Sequence, residues 1–211
     1  MKLTLTFDNG PDPGVTPMVL DMLAKRALPA VFFPVGERLE DPAARATVRD
    51  IRAAGHTVGN HTYSHPRPFG GLPGADAVAE IKRTDALLGD AIEPDRLFRP
   101  SAGGGHLKPG VLNQAAVDHL IQHGHSLVLW NLICEDWSRP DGSWVDIAME
   151  QFRRQPWSLI VLHDVPSGAM DHLPKFLDRA ADAGAEFVQG FPPETTPIWR
   201  GRQTLPLDGL I

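Results

Sequence analysis

Apolar residues recur along this chain in two rhythms. Short runs rich in β-branched, aliphatic and aromatic side chains occupy 3–7, 30–35, 56–59, 96–99, 126–131, 158–163 and 185–188. Their length and β-rich composition predict strands, and 3–7 also alternates. Longer stretches with helical spacing lie between them, at 15–26, 75–89, 110–123, 143–155 and 169–184. One further helix opens at Asp41-Pro42, an N-cap residue followed by proline at the first helical position. It carries Ala44, Val48 and Ile51 on one face and stops at Gly55, as Gly124 and Gly184 stop two others.

Strand then helix, repeated about seven times, predicts an α/β protein with parallel strands. An open sheet and a closed barrel both satisfy that order. No Gly-x-Gly-x-x-Gly follows the first strand, which weakens a nucleotide-binding open sheet. Polar residues cluster just after strand ends at five places, and a barrel gathers such ends at one mouth. The expectation is therefore a (β/α) barrel with its site at that mouth. There is no internal repeat and no low-complexity linker, so 1–211 reads as one domain.

Composition narrows the partners. The chain has 211 residues, 42% hydrophobic and 22% charged, enough for a sizeable core. Its net charge is -6, without a basic cluster, which argues against nucleic acid and anionic membranes as partners. Cys134 is the single cysteine, so neither a disulfide framework nor a multi-cysteine zinc site can form. The opening Met1-Lys2-Leu3-Thr4-Leu5 is too short in apolar residues for a signal-peptide core, and no apolar run is long enough to span a bilayer. The expected location is cytoplasmic.

The strand-end loops carry the candidate chemistry. Asp8 ends the first strand, within Phe7-Asp8-Asn9-Gly10-Pro11. Alone that string reads as a turn, but a carboxylate there can act as a general base. His61 and His65, four apart in the third loop, can chelate one divalent metal through neutral imidazoles. Arg99 can fork onto a carboxylate, and the Gly-rich backbone from Ala102 through Gly103 to Gly104 can offer N–H groups to an oxyanion. Trp130 reads as core, whereas Trp137, beside Glu135 and Asp136, can wall a sugar or apolar pocket. His163 ends the sixth run and needs a carboxylate to raise its pKa if it is to be a general acid; Asp136 is the candidate.

No single signal is specific, but their order is. Thr6-Phe7-Asp8-Asn9-Gly10-Pro11, His61-Thr62-Tyr63-Ser64-His65, Arg99-Pro100-Ser101-Ala102-Gly103, Glu135-Asp136-Trp137 and Val161-Leu162-His163 follow successive strands. In that order they resemble the five motifs of the NodB-homology polysaccharide deacetylases, carbohydrate esterase family four. The resemblance implies an irregular (β/α) barrel and removal of acetyl groups from chitin-like or peptidoglycan amino sugars. It implies a divalent metal, zinc being the expected ion. Asp8 matches the base, Arg99 the residue that holds it, and His163 the acid, tuned by Asp136. His61 and His65 match metal ligands, and Asn9 occupies the third ligand position. A backbone N–H near Ala102 matches an oxyanion donor, and Leu162 falls in the motif that lines the acetyl-methyl pocket.

Four positions depart from the family pattern. Asn9 stands where the family has an aspartate, Ala102 where tyrosine is usual, Ser101 where proline is common, and Ile133 in place of the first aspartate of the fourth motif. A neutral amide is a weaker zinc ligand than a carboxylate, so weaker metal binding is expected. Asn9-Gly10 is also a dipeptide prone to deamidation, which would restore an aspartate. Two alternatives follow: a catalytically impaired carbohydrate-binding relative, keeping Trp137 and Phe69 as aromatic walls, and an amidase or cyclic imidase on the same scaffold. His106, His119, His123 and His125 read as surface histidines near a helix end, Cys134 as a small filler, and the tail after Pro192 as packing outside the barrel or joining an oligomer. His56 and His172 have no assigned role.

Overall fold

The computed structural model describes residues 1–102 and 104–211. Its central strand is β1, Lys2–Asp8, which sorts its side chains by period two. Leu3, Leu5 and Phe7 enter the core between sheet and helices, while Thr4, Thr6 and Asp8 face the barrel interior. β7, Trp157–His163, pairs with β1 in parallel along its whole length, and the register sets Asp8 opposite His163.

The other edge of β1 is shared. β2, Val31–Phe33, pairs with its C-terminal half, and β8, Glu186–Phe187, with Lys2 and Leu3. β3, Thr57–Val58, extends the sheet beyond β2. A parallel bridge from Asn60 to Phe98 links it to β4, Leu97–Phe98, which pairs with β5, Ser126–Leu127. β6, Leu132–Ile133, pairs with β7. The result is an α/β barrel of parallel strands, left unpaired between β5 and β6.

Among the described residues six helices cover it: α1 Val15–Ala24, α2 Pro42–Ala53, α3 Gly74–Leu88, α4 Gln114–Gln122, α5 Trp144–Phe152 and α6 Leu173–Asp182. Asp41 caps α2 as expected, accepting from the Ala43 N–H at 2.8 Å. α4 starts four residues later than its pattern suggests, because Asn113 supplies the cap. The core has two parts. One lies between the sheet and α1, α2, α5 and α6; the other fills the barrel and the space under α3 and α4. Each fully buried Leu or Phe in them contributes roughly 1.5–3 kcal/mol before ordering costs.

Two expectations change here. The tail folds back as β9, Ile198–Trp199, antiparallel to β5, and β10, Arg202–Gln203, antiparallel to β9, so it extends the sheet edge. The histidines near α4 are not all on the surface: His125 is fully buried with Nε2 2.8 Å from Asp85, and His119 is buried beside it. Cys134 is buried filler, its thiol pushed well up by burial and then by Asp136. No helix among the described residues is long and apolar enough to cross a membrane.

Candidate active site

The loops after β1, β3, β4, β6 and β7 converge on a cavity of about 130 Å³ lined by Asp8, Asn9, His61, His65, Ala102, Trp137 and His163. Four non-glycine residues around it hold positive φ: Asn9 (73°), Thr62 (65°), His65 (55°) and Glu135 (55°). Asparagine tolerates that region, but a β-branched threonine does not favour it. Thr62 is held there by two bonds: its N–H donates to Asn60 Oδ1 at 2.8 Å, and its carbonyl accepts from the Gly36 N–H at 2.9 Å. Glu80 of α3 accepts the N–H groups of Tyr63 (2.8 Å) and Ser64 (2.7 Å), pinning the rest of the histidine loop. Such backbone strain is concentrated where surrounding contacts over-determine the chain.

Two dyads face the cavity. Arg99, fully buried, donates from Nη1 to Asp8 Oδ1 at 2.8 Å and to Thr6 Oγ1 at 2.7 Å; Nε and Nη2 reach the Val128 and Leu129 carbonyls. The guanidinium also lies 4.1 Å over the Phe33 ring. Burial pushes the Asp8 carboxyl up, but Arg99, then His61 and His163, outweigh it and hold it below its ordinary value. Arg99 itself is lowered, since burial exceeds what Asp8 returns. In the second dyad Asp136 spans His163, accepting from its backbone N–H and from Nδ1, both at 2.9 Å. Burial opposes the imidazolium, yet Asp136 prevails and the His163 pKa is raised. Nε2 is thereby the free nitrogen, and the Trp137 ring stands edge-on to the imidazole at 5.0 Å. Trp137 is 37% exposed, an aromatic rim on the cavity.

Three side chains at the cavity carry metal donors: Asn9, His61 and His65. Asn9 Oδ1 is buried without a hydrogen-bond partner, an orphaned acceptor that a cation would satisfy. His61 Nδ1 lies 2.9 Å from the Arg99 carbonyl, which fixes the proton there and leaves the Nε2 lone pair available. Its Nε2 is 3.6 Å from Asp8 Oδ2, too long for a hydrogen bond. The rings of His61 and His65 are 5.0 Å apart. Burial, then His61 and Arg67, lower His65 to about 3, so its ring is neutral. The discordant contact is Arg67 Nε donating to His65 Nδ1 at 3.2 Å, which places the ring proton on Nε2. Coordination by His65 therefore requires Arg67 to turn away. Among the described residues no three His, Cys, Asp or Glu side chains form a metal cage. The set that fits is two imidazoles and a neutral amide.

Some expected residues lie elsewhere. Leu162 is fully buried in the core outside the sheet and does not line the cavity. Period two explains the correction: on β7, His163 shares its face with Val161, and Val161 lines the cavity with Ile133. Phe69 is likewise buried, against Phe98, and is no sugar wall. Trp130 lines the cavity as well as the core, its Nε1 donating to the Gly105 carbonyl at 2.7 Å. Ala102 borders the cavity; Gly103 lies outside the described residues.

Sequence reasoning passed over Asp164. Its Oδ1 accepts from the Gly10 N–H at 3.1 Å and its Oδ2 from Thr16 Oγ1 at 2.5 Å. Burial raises it to about 7. Only glycine fits at position 10, since a Cβ there would lie 2.1 Å from Asp164 Oδ2. Deamidation of Asn9 needs the Gly10 nitrogen free to lose its proton and attack; here it is buried and bonded, which disfavours that route.

Known proteins share this arrangement of chain. The polysaccharide deacetylase family matches residues 1–127. A chitooligosaccharide deacetylase of Rhizobium leguminosarum bv. trifolii is 34% identical over 168 residues, covering 77% of this chain and 71% of the relative. A peptidoglycan-N-acetylglucosamine deacetylase of Bacillus cereus is 28% identical over 201 residues, 88% of this chain and 84% of the relative. The structure of a peptidoglycan deacetylase from Bacillus subtilis superposes with a TM-score of 0.72 at 29% identity, covering 89% of this chain and 86% of that one. A family 4 carbohydrate esterase from Streptomyces lividans, in complex with acetate, gives 0.70 at 28%, covering 87% and 90%. With the barrel, the ordered strand-end motifs and these likenesses together, the chain belongs to the polysaccharide deacetylase family.

Proposed function

We propose that this protein hydrolyses the N-acetyl group of N-acetylated amino sugars, in chitooligosaccharide or peptidoglycan-like substrates, with a divalent metal. The observation that carries the reading is the pair of dyads, Arg99–Asp8 and Asp136–His163, whose Asp8 and His163 stand opposite each other on β1 and β7 and line one cavity with the two histidines. The activities of the relatives support it.

Asn9, His61 and His65 would hold the metal, which when bound supplies Lewis acidity to the amide carbonyl and to water. Asp8, kept ionised by Arg99, takes the proton from the attacking water. A backbone N–H at Ala102 helps hold the oxyanion. His163, whose pKa Asp136 raises, gives its Nε2 proton to the departing amine. Ile133 and Val161 form the apolar wall beside the acetyl methyl, and Trp137 carries a sugar face at the rim. A binding-only relative has no use for base, acid and both of their partners.

The test is acetate release from N-acetylglucosamine oligomers in parallel with zinc, cobalt, nickel and chelator. Metal-stimulated release supports the proposal; no release from folded, metal-supplied protein rejects it. Asn9→Asp should tighten zinc binding by about tenfold or more, since a carboxylate replaces an amide in the donor set. Unchanged affinity in calorimetry would show that this side chain does not face the metal.

A further inference from the structure

A second pair of histidines four residues apart lies outside the catalytic cavity. The His123 N–H donates to the His119 carbonyl at 3.0 Å, so the two are one full turn apart at the end of α4. Their ring centroids are 4.3 Å apart. Two imidazoles on one ion, each with its nitrogen about 2.0–2.1 Å from the metal, have centroids about 4.5 Å apart at a 90° angle and about 5.2 Å apart at a tetrahedral one, so a few tenths of an ångström of opening brings this pair to the 90° geometry. His119 is buried and His123 exposed, which leaves the pair open to solvent on one side.

The surroundings favour a cation. The C-terminus of a helix carries partial negative charge. Burial, then His123 and His125, lower the His119 pKa to about 4, so its lone pair is free of proton competition near neutral pH. The charged neighbours of His119 are Lys82 and Asp85, opposite in sign. His125, 5.7 Å from His119, is no third ligand: Nε2 is bonded to Asp85 and Nδ1 is enclosed.

We propose that His119 and His123 chelate a divalent transition metal of the nickel, copper or zinc type, with water completing its coordination. An all-imidazole pair selects these ions over magnesium and calcium, which require oxygen donors.

The experiment titrates chelator-treated protein with nickel by calorimetry at about pH 7.5, since imidazole ligands bind metal in their neutral form. It compares the parent, His123→Ala, and the double variant His61→Ala/His65→Ala. The double variant, folded by circular dichroism, should keep one equivalent of nickel. His123→Ala should lose that equivalent, weakening it by about thirtyfold or more, without loss of fold because the side chain is exposed. Full nickel stoichiometry and affinity in His123→Ala overturns the proposal, as does a folded double variant that binds none. Acetate release plays no part in the readout, so the result stands apart from the deacetylase reading.

Discussion

Asp8, the last residue of β1, and Asp164, the first residue after the neighbouring β7, are both buried carboxylates at the same end of the barrel, and their pKa shifts are opposite. Asp8 is held below its ordinary pKa, and Asp164 is raised to about 7. Burial pushes both up. What differs is the partner. Asp8 meets the Arg99 guanidinium at 2.8 Å, whereas Asp164 has one hydroxyl and one backbone N–H. A cation within reach reverses the desolvation penalty; two neutral donors only reduce it. The first carboxylate is thus prepared to accept a proton, and the second is a structural clamp on the Asn9-Gly10 turn.

Removing the cation should break the contrast most severely. Arg99→Met leaves Asp8 buried and unpaired, so stability should fall by about 3–5 kcal/mol in urea denaturation. Loss below about 1 kcal/mol would mean that Asp8 is stable without its partner. The converse change acts on the clamp. The unfolded Asp164 ionises near 3.8, while the folded one keeps its proton to about 7. Its contribution to stability is therefore intact below pH 3.8 and is lost as pH rises to about 7, by up to roughly 4 kcal/mol. Asp164→Asn can still accept from Gly10 and donate to Thr16 but cannot ionise. Its stability should fall less than the parent's across that window, and parallel curves would contradict the assignment.

Smaller effects sharpen the comparison on the acid side. Asp136→Asn removes the charge that offsets burial at His163, so the alkaline limb of the rate profile for acetate release should move to lower pH. An unmoved limb would assign that limb to another group. The smallest change is expected at Leu162→Ile, a volume-conserving swap in the outer core. It should cost less than about 1.5 kcal/mol and leave KM unchanged. A raised KM would return Leu162 to the substrate pocket.

Much of this was legible in the sequence because period and order survive folding. The alternation in 3–7, the apolar run in 158–163 and the six helical stretches all appear, although α4 and α6 each start four residues later than their patterns suggest. The pair Asp136 with His163 is legible from their places after strands, and the pair Asp8 with Arg99 from the resemblance of the motifs to the deacetylase family. Leu162 shows a signal that was present and misread: two residues back from His163 on the same strand face is Val161. β6 is only Leu132–Ile133, too short for a periodicity of its own, and it exists because β7 offers a free edge. Asp164 had no local signal, since its burial against Thr16 and Gly10 joins positions about 150 apart. Arg67 likewise entered the site only through the turn that brings its Nε to His65.

The central claim is that Asp8 and His163 act as base and acid in one hydrolysis. The most direct measurement is acetate release from an N-acetylglucosamine oligomer with zinc or cobalt, comparing the parent with Asp8→Asn and His163→Ala under the same conditions. The account predicts release by the parent and a loss of about a hundredfold or more in each folded variant. A parent that releases no acetate with any metal, or variants that keep its rate, would contradict it.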